Sequence, residues 1–234
     1  MKQPGNIAFP VARLLSSFIH LALFLLLLFL LAGDWRWLEG WIFSAIFAGG
    51  SFGTILYLYF TDPALLNERY RSPVQKEQKG WDKILLVPFF LEFLGWFVIM
   101  PLDARRFKWT QTYPFELQVT GGLLLLASFY ILFMALRENT FAAPVVKMQR
   151  KRGHHVIATG PYAVVRHPMY AGALLLFVGG PLLLSSNAGL VFAGALIATL
   201  VVRTIGEERM LKEELPGYRN YTRKVKSRLI PFVF

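Results

Sequence analysis

One polar stretch, GHHVIATGPYAVVRHPMYAG at residues 153–172, lies between two hydrophobic blocks of the chain. It places three histidines, one arginine and two tyrosines within twenty residues. Pro168 suits the first turn of a helix, where its missing N–H removes no hydrogen bond. His167 then stands at the start of that helix, beside unpaired backbone donors and the positive end of the helix dipole. Such a helix start favours an anionic group, for example the carboxylate of a ligand.

Two other interpretations of this stretch stay open. The first is a well-capped helix whose His167 and Tyr170 anchor the chain at the level of the lipid headgroups, as interfacial aromatic residues commonly do. The second is a metal site, but His154 and His155 are adjacent and point in different directions, and His167 follows twelve residues later. The sequence has neither an HExxH motif nor paired carboxylates at ligand spacing. It therefore predicts no metal site.

Arg203 and Glu207 form a second place with chemical potential. They are four residues apart, so they share one face of a helix. A solvated ion pair is the ordinary interpretation. However, Arg203 directly follows the apolar run GALIATLVV, and an unpaired charge at the membrane boundary is unfavourable. A buried polar site is therefore the alternative. Glu92, in the middle of another apolar segment, is either functional or hydrogen-bonded in protonated form to a neighbouring helix.

The elements that must position these residues are membrane helices. The chain is 55% hydrophobic and only 17% charged, where a soluble domain is typically about a quarter charged. A spanning helix needs about 20 mostly apolar residues. The sequence predicts an all-α, polytopic integral membrane bundle. Its hydrophobic segments are Leu14–Ala32, Leu38–Phe60, Ile84–Leu102, Phe115–Leu136, Met169–Ser185 and Ala188–Val202. The last two are short and joined by SSN, which indicates a C-terminal helical hairpin or one re-entrant pair, and therefore five to six transmembrane helices.

The positive charges fall on one side of this topology. With both termini placed on the same side, that side carries 21 lysines and arginines, counting Lys2, and the other carries four. The positive-inside rule then predicts cytoplasmic N and C termini. The net charge of +11 follows from topology and attraction to membrane lipids, so it does not indicate nucleic-acid binding. The first segment is too long for a secretory signal peptide, and the absence of cysteine excludes disulfides and thiolate chemistry.

The two polar places together resemble the isoprenylcysteine carboxyl methyltransferase family, part of a wider group of membrane methyltransferases that includes phospholipid N-methyltransferases. The stretch quoted above is followed, about thirty residues later, by RTIGEERMLKEELPGYRNYTRKVKSRLIPFVF, and DPALLNERYR also looks like bacterial members. The resemblance covers Glu138–Phe234. It divides the chain into residues 1–136, with four spans and an interfacial amphipathic segment at 61–80, and residues 137–234, a cofactor-binding, methyltransferase-like region.

This resemblance implies methyl transfer from S-adenosylmethionine in a pocket formed by the last helices and the loop before them. Arg203 looks like the catalytic, substrate-binding arginine, and Glu207 like the carboxylate that holds the cofactor. Lys147 stands where eukaryotic members present a glutamine. The remaining cofactor-binding residues implied are His154, His155, Val156, Ile157, Tyr162, His167, Pro168, Met169 and Tyr170, among which His155 looks incidental.

The implied acceptor is a lipophilic or lipidated molecule from the bilayer, most simply an isoprenoid-linked carboxylate. A carboxylate is already ionised and needs no general base, whereas an amine acceptor would need one, such as Glu92 or a histidine. A phospholipid amine headgroup or another small hydrophobic acceptor is the alternative, and a non-enzymatic membrane protein of the same fold is a third. No GxGxxG motif occurs, which disfavours a soluble methyltransferase fold. The expected location is a bacterial inner membrane.

Overall fold

The apolar segments form the long helices of a computed structural model that describes residues 10–231 and residue 233. No strand occurs among these residues, and the all-α membrane bundle predicted from the sequence is confirmed. The helices are α1 Val11–Ala32, α2 Leu38–Thr61, α3 Pro63–Arg69, α4 Gly80–Pro101, α5 Phe115–Glu138, α6 Pro168–Leu184, α7 Asn187–Glu214 and α8 Tyr218–Lys224.

Five helices are long and apolar enough to cross a membrane: α1, α2, α4, α5 and α7. The remaining predicted span, Met169–Ser185, corresponds to α6. This helix has 17 residues, or about 26 Å at 1.5 Å per residue, which is less than the hydrocarbon core of roughly 30 Å. The predicted hairpin is present. Ser185 turns the chain in the left-handed conformation, with φ of 63°, and the Ser186 side chain accepts the Gly189 N–H at 2.9 Å to begin α7.

Two helices extend beyond their predicted apolar limits. α4 begins at Gly80 rather than Ile84, and it continues through a π-helical turn at Leu102–Arg106. α7 runs without a break from the apolar segment into its polar continuation and ends at Glu214. Arg203 and Glu207 are therefore side chains of a continuous helix rather than of a loop beyond it.

The predicted interfacial segment 61–80 is helical only in its first part. Asp62 caps α3 by accepting the Leu65 N–H at 2.9 Å, and Pro63 occupies the first turn. The chain after Arg69 is irregular and folds back toward the segment that follows α5. The Lys79 N–H donates to the Val146 carbonyl at 3.1 Å. This contact joins the start of α4 to the loop before α6.

The helix ends near Lys79 and Val146 form what we call the basic end of the bundle, made of residues 61–83, 137–166 and 203–231. Most of the lysines and arginines among the described residues lie in these ranges. Lys2, which enters the predicted charge asymmetry, lies outside the described residues, as do the rest of residues 1–9, Phe232 and Phe234.

Helices α5 and α6 approach each other closely through glycine. A Cβ atom on Gly179 would lie 2.9 Å from the Gly121 carbonyl oxygen, and a Cβ on Gly121 would overlap the backbone at Leu183. Small residues permit such close packing between membrane helices. The contact fixes the position of α6, whose first turn carries the predicted site residues.

We predict that Gly121→Ala destabilises the bundle by about 1–3 kcal/mol, because the added methyl group has only backbone to displace. Gly122→Ala is the matched control, since its Cβ would meet only the Leu183 Cδ1 atom, at 3.9 Å. Thermal unfolding in detergent micelles measures both. Equal shifts for the two variants would contradict the close approach of α5 and α6.

Candidate active site

A cavity of about 300 Å³ lies at the basic end. This volume is at the lower limit of the range typical of small-molecule sites, roughly 300–1,000 Å³. Part of its wall is apolar and belongs to four of the long helices, through Phe89, Leu132, Ala173 and Leu200. The remaining wall comes largely from the segment after α5, the first turn of α6, the end of α7 and α8, and it carries most of the polar groups. The cavity thus joins a hydrocarbon-like surface to a polar one.

Ten of the eleven site residues predicted from the sequence line this cavity, and Pro168 does not. Their roles stay predictions, but the fold brings the two polar places of the sequence together around one hollow. The ten are His154, His155, Val156, Ile157, Tyr162, His167, Met169, Tyr170, Arg203 and Glu207. Pro168 instead begins α6, as its place in the sequence predicts.

Glu207 is held by the first turn of α6. The Tyr170 hydroxyl donates to Glu207 Oε2 at 2.5 Å, and His167 Nδ1 lies 3.9 Å from the same oxygen. The rings of His167 and Tyr170 are parallel, with centroids 5.5 Å apart. Glu207 Oε1 accepts no hydrogen bond from any residue that the structure describes. Glu207 therefore has one oxygen fixed by the protein and one available to a ligand.

Arg203 does not pair with Glu207, although their spacing allows it. Its Nε donates to Asp82 Oδ1 at 2.9 Å, and its Nη2 donates to the Pro144 carbonyl at 2.8 Å. The guanidinium carbon lies 5.6 Å from the centre of the Tyr170 ring, in a cation–π contact. Within the described part of the chain, Nη1 makes no hydrogen bond. The side chain is thus fixed on one edge and keeps a donor for the cavity.

Asp82 is a buried residue that the sequence interpretation missed. It is fully buried, and both of its oxygens accept hydrogen bonds. Beyond Arg203, Oδ2 accepts from Gln78 Nε2 at 2.8 Å and from the Val146 N–H at 2.9 Å. A buried carboxylate is tolerated when its lone pairs are satisfied in this way. Asp82 therefore ties the start of α4 to α7 and to the loop that lines the cavity.

Glu208 plays a comparable part on the other side of α7, and the sequence interpretation missed it too. Its side chain is buried; Oε1 pairs with Arg166 Nε, and Oε2 accepts from Arg228 Nε at 3.0 Å. Arg166 also donates to the carbonyls of Val225 and Lys226, at 2.7 and 2.6 Å. These contacts clamp the C-terminal segment against the residues that precede α6.

The start of α6 offers less to an anion than its sequence suggests. The His167 N–H donates to the Arg228 carbonyl at 2.9 Å, and the N–H groups of Tyr170 and Ala171 donate to the His167 carbonyl. Pro168 has no N–H. Of the N–H groups in this turn, that of Met169 is left for a ligand.

Two buried polar atoms of the cavity wall have no hydrogen-bond partner among the residues that the structure describes: His167 Nε2 and Tyr218 Oη. His167 Nε2 is 3.6 Å from Glu208 Oε1, which is beyond hydrogen-bond distance. Buried polar groups are nearly always satisfied. Both atoms have almost no accessible surface, so they lie behind the open part of the cavity rather than in it.

Lys147 and Glu92, both left open by the sequence, are engaged with other side chains. Lys147 is buried and donates to Glu68 Oε1 at 2.5 Å and to Gln75 Oε1 at 2.6 Å. Glu92 accepts from the Thr199 hydroxyl at 3.1 Å, across the interface of α4 and α7. It is not among the lining residues of the cavity, so it does not supply a base to it.

His154 is a neutral imidazole in the cavity wall. Its ring packs on Phe141 with centroids 4.7 Å apart. Burial lowers the pKa of His154 to about 4, which the nearby charge of Glu207 only partly opposes. At neutral pH the ring therefore stays uncharged. Its neighbour His155 is exposed and bonds the Gly153 carbonyl.

Comparison with known proteins agrees with this arrangement. Residues 117–216 match the family model described as phospholipid methyltransferase. Over 145 residues the chain is 26% identical to protein-S-isoprenylcysteine O-methyltransferase B of Arabidopsis thaliana, which covers 61% of the chain and 70% of that protein. The matching part of the chain is thus similar to the membrane methyltransferase family. A second relative, the cobalt-zinc-cadmium resistance protein CzcN of Cupriavidus metallidurans, is 29% identical over 133 residues, covering 55% of the chain and 56% of that protein.

The family match contains every site residue predicted from the sequence and crosses the predicted boundary between residues 136 and 137. It supports a membrane methyltransferase of the isoprenylcysteine or phospholipid type. Despite the name of the second relative, no cluster of three or more His, Asp or Glu side chains suited to a metal ion occurs in the described ranges.

We predict strong energetic coupling between Asp82 and Arg203. Asp82→Asn or Arg203→Met alone leaves one buried partner without its counterpart and should cost roughly 3–5 kcal/mol of stability. The double variant should cost less than the two single variants added together. Chemical unfolding in detergent measures the cycle. As a control, Asp34→Asn at the partly exposed Asp34–Arg105 pair should cost much less, because solvent screens that pair. Simple additivity at Asp82 and Arg203 would contradict this coupling.

We also predict a pH dependence from His154. Its pKa falls on folding from an ordinary value of 6.5 to about 4, so the unfolded chain takes up the proton first as the pH drops. This contribution to stability is complete above pH 6.5 and declines as the pH falls toward 4. His154→Phe should remove it, visible in unfolding temperatures measured across that range. His155→Phe controls for the added phenyl ring. A His154→Phe curve parallel to that of the unmodified protein would disprove the burial of a neutral imidazole.

Proposed function

We propose that the chain is an integral-membrane enzyme that transfers a methyl group from S-adenosylmethionine to a lipophilic carboxylate, most simply an isoprenoid-linked one. One observation carries this proposal. The carboxylate of Glu207, the imidazole of His167 and the guanidinium of Arg203 line one cavity, and part of its wall is apolar and belongs to the long helices. These groups suit a charged cofactor and a greasy acceptor that meet at one place.

The lining residues fit the chemistry of the cofactor. Glu207 has a free oxygen for an ammonium group or ribose hydroxyls, through charge-assisted hydrogen bonds. The segment His154–Ile157 and Tyr162 would enclose the rest. When bound, S-adenosylmethionine would supply the methyl group, which passes from sulfur to the acceptor oxygen while sulfur keeps the bonding electron pair.

Arg203 would orient the acceptor carboxylate. Asp82 and Pro144 accept hydrogen bonds from Nε and Nη2 of the guanidinium, so the remaining donor, Nη1, has a set direction. An ionised carboxylate needs no base, so the protein has only to align the acceptor and to exclude water. The apolar residues of the spans, such as Phe89 and Leu200, suit both the exclusion of water and the entrance of a substrate from the bilayer.

A phospholipid amine or another small hydrophobic amine is the second candidate acceptor. The description of the matching family model favours it. The name of the plant relative favours the carboxylate instead.

The charge distribution supports a particular orientation. The basic end, with the cavity, would face the cytoplasm, with both termini on that side, in a bacterial inner membrane. The cofactor would then enter from the cytoplasm, and the basic surface would attract anionic lipid headgroups rather than nucleic acid.

We expect the purified protein to bind S-adenosylhomocysteine and to transfer labelled methyl groups to a component of a total lipid extract. Label released by base as methanol identifies an ester, whereas base-stable label identifies an N-methyl product. Glu207→Gln should weaken S-adenosylhomocysteine binding roughly tenfold or more in calorimetry, because a charged hydrogen-bond acceptor is lost. Glu116→Gln, on an exposed residue of α5, is the control. Absence of both binding and transfer would refute the enzymatic assignment.

A further inference from the structure

The positive charges of the cavity wall are not all balanced by carboxylates. Four cationic side chains line it: Arg69, Lys147, Arg166 and Arg203. Three of them pair with buried carboxylates. Lys147 pairs with Glu68, Arg166 with Glu208 and Arg203 with Asp82. Arg69 has no such partner among the residues described; its Nη1 donates to the Ala142 carbonyl at 3.0 Å. One positive charge of the wall is therefore left unmatched.

Arg69 lies where its positive charge can act on a ligand in the cavity. It ends the short helix α3, and its side chain reaches the loop after α5, where Ala142 also lines the cavity. Burial lowers the pKa of the guanidinium, which means that its surroundings disfavour the charged form. An arginine nevertheless stays protonated at neutral pH. A buried cation of this kind is stabilised when an anion joins it.

The unmatched acid of the cavity is Glu207, and Tyr162 links it electrostatically to Arg69. Burial raises the pKa of the Tyr162 phenol; the charge of Glu207 adds to this rise and the charge of Arg69 opposes it. Both charges thus act on the same side chain of the wall. Arg69, Tyr162 and Glu207 line the same cavity, and a positive and a negative group in one wall are complementary to the carboxylate and ammonium of an α-amino acid.

We propose that Arg69 binds the α-carboxylate at the amino-acid end of the cofactor, while Glu207 binds the ammonium group. The inference rests on the proposed function, in which that cofactor is S-adenosylmethionine. The planar guanidinium presents its N–H groups in a fork that matches a carboxylate. The start of α6, where most N–H groups are already used, is a poorer place for this anion.

Lys147 is the competing cation, and its contacts argue against it. The ammonium is already paired with Glu68 and bonded to Gln75, so its charge is matched within the protein. Removing it would also leave Glu68 buried with only the half-exposed Arg71 as a cationic partner, so loss of binding in a Lys147 variant would not separate binding from folding.

Two nucleosides separate the binding of the carboxylate from the rest of the site. S-adenosylhomocysteine has the amino-acid end, and 5′-methylthioadenosine lacks it. In calorimetry on the full chain in detergent, Arg69→Met should bind S-adenosylhomocysteine roughly 10- to 100-fold more weakly, as expected for a lost charged hydrogen bond. Its affinity for 5′-methylthioadenosine should be unchanged, which shows that the cavity is intact. Arg137→Met, on an exposed arginine at the end of α5, should change neither affinity.

Arg69→Lys should recover part of the lost affinity for S-adenosylhomocysteine, because it keeps the positive charge but not the forked N–H groups. This variant also provides the test if the methionine variant fails to fold. Undiminished S-adenosylhomocysteine binding by Arg69→Met would overturn the assignment and leave the proposed function standing. The same would hold if only the KM for the acceptor rose, since the carboxylate would then belong to the acceptor. An unmodified protein that binds neither nucleoside would refute the proposed function, and this inference with it.

Discussion

The buried ion pair of Asp82 and Arg203 is the interaction on which the cavity depends. Removing a carboxylate and a guanidinium from water is costly unless every strong hydrogen-bonding atom finds a partner. Asp82 meets this condition with donors from three places: Arg203 on α7, Gln78 before α4, and the Val146 N–H in the loop after α5. A shift of any one of these elements would leave a buried charge unsatisfied. The electrostatic requirement therefore holds the elements together, where apolar packing within a membrane would allow them to slide.

Buried ion pairs of the same kind occur at two other places around the cavity. Glu208 matches Arg166 and fixes the C-terminal segment, while Glu68 matches Lys147 and fixes the chain after α3. Each carboxylate pairs with at least one cation of the cavity wall and secures one piece of irregular backbone. Loops that line a cavity without strands or long helices need such anchors, because their own backbone hydrogen bonds are few.

The sequence reveals those features that depend on local composition. Apolar runs predict the helices, Pro168 predicts the start of α6, and the two polar places predict which residues surround the cavity. The sequence does not show which charged side chains pair, because pairing depends on which helices are neighbours in space. Four-residue spacing suggests Glu207 as the partner of Arg203, whereas α4 brings Asp82 to it from more than a hundred positions away. Glu68 and Gln75 likewise read as parts of an interfacial segment until the fold places them on Lys147.

On the proposed function, the balance of charges bears on the acceptor. The four cations that line the cavity stand against Glu207 and three buried carboxylates, and Glu68 and Glu208 pair with further cations, so the site has no negative excess. The amino-acid end of S-adenosylmethionine is itself neutral overall, so its sulfonium adds one positive charge to the occupied site. Two unit charges about 4 Å apart interact by about 4 kcal/mol at an effective dielectric constant near 20. An anionic acceptor gains from this interaction and a protonated amine is opposed by it. An amine could react only after losing its proton, so the field of the cavity itself favours a carboxylate.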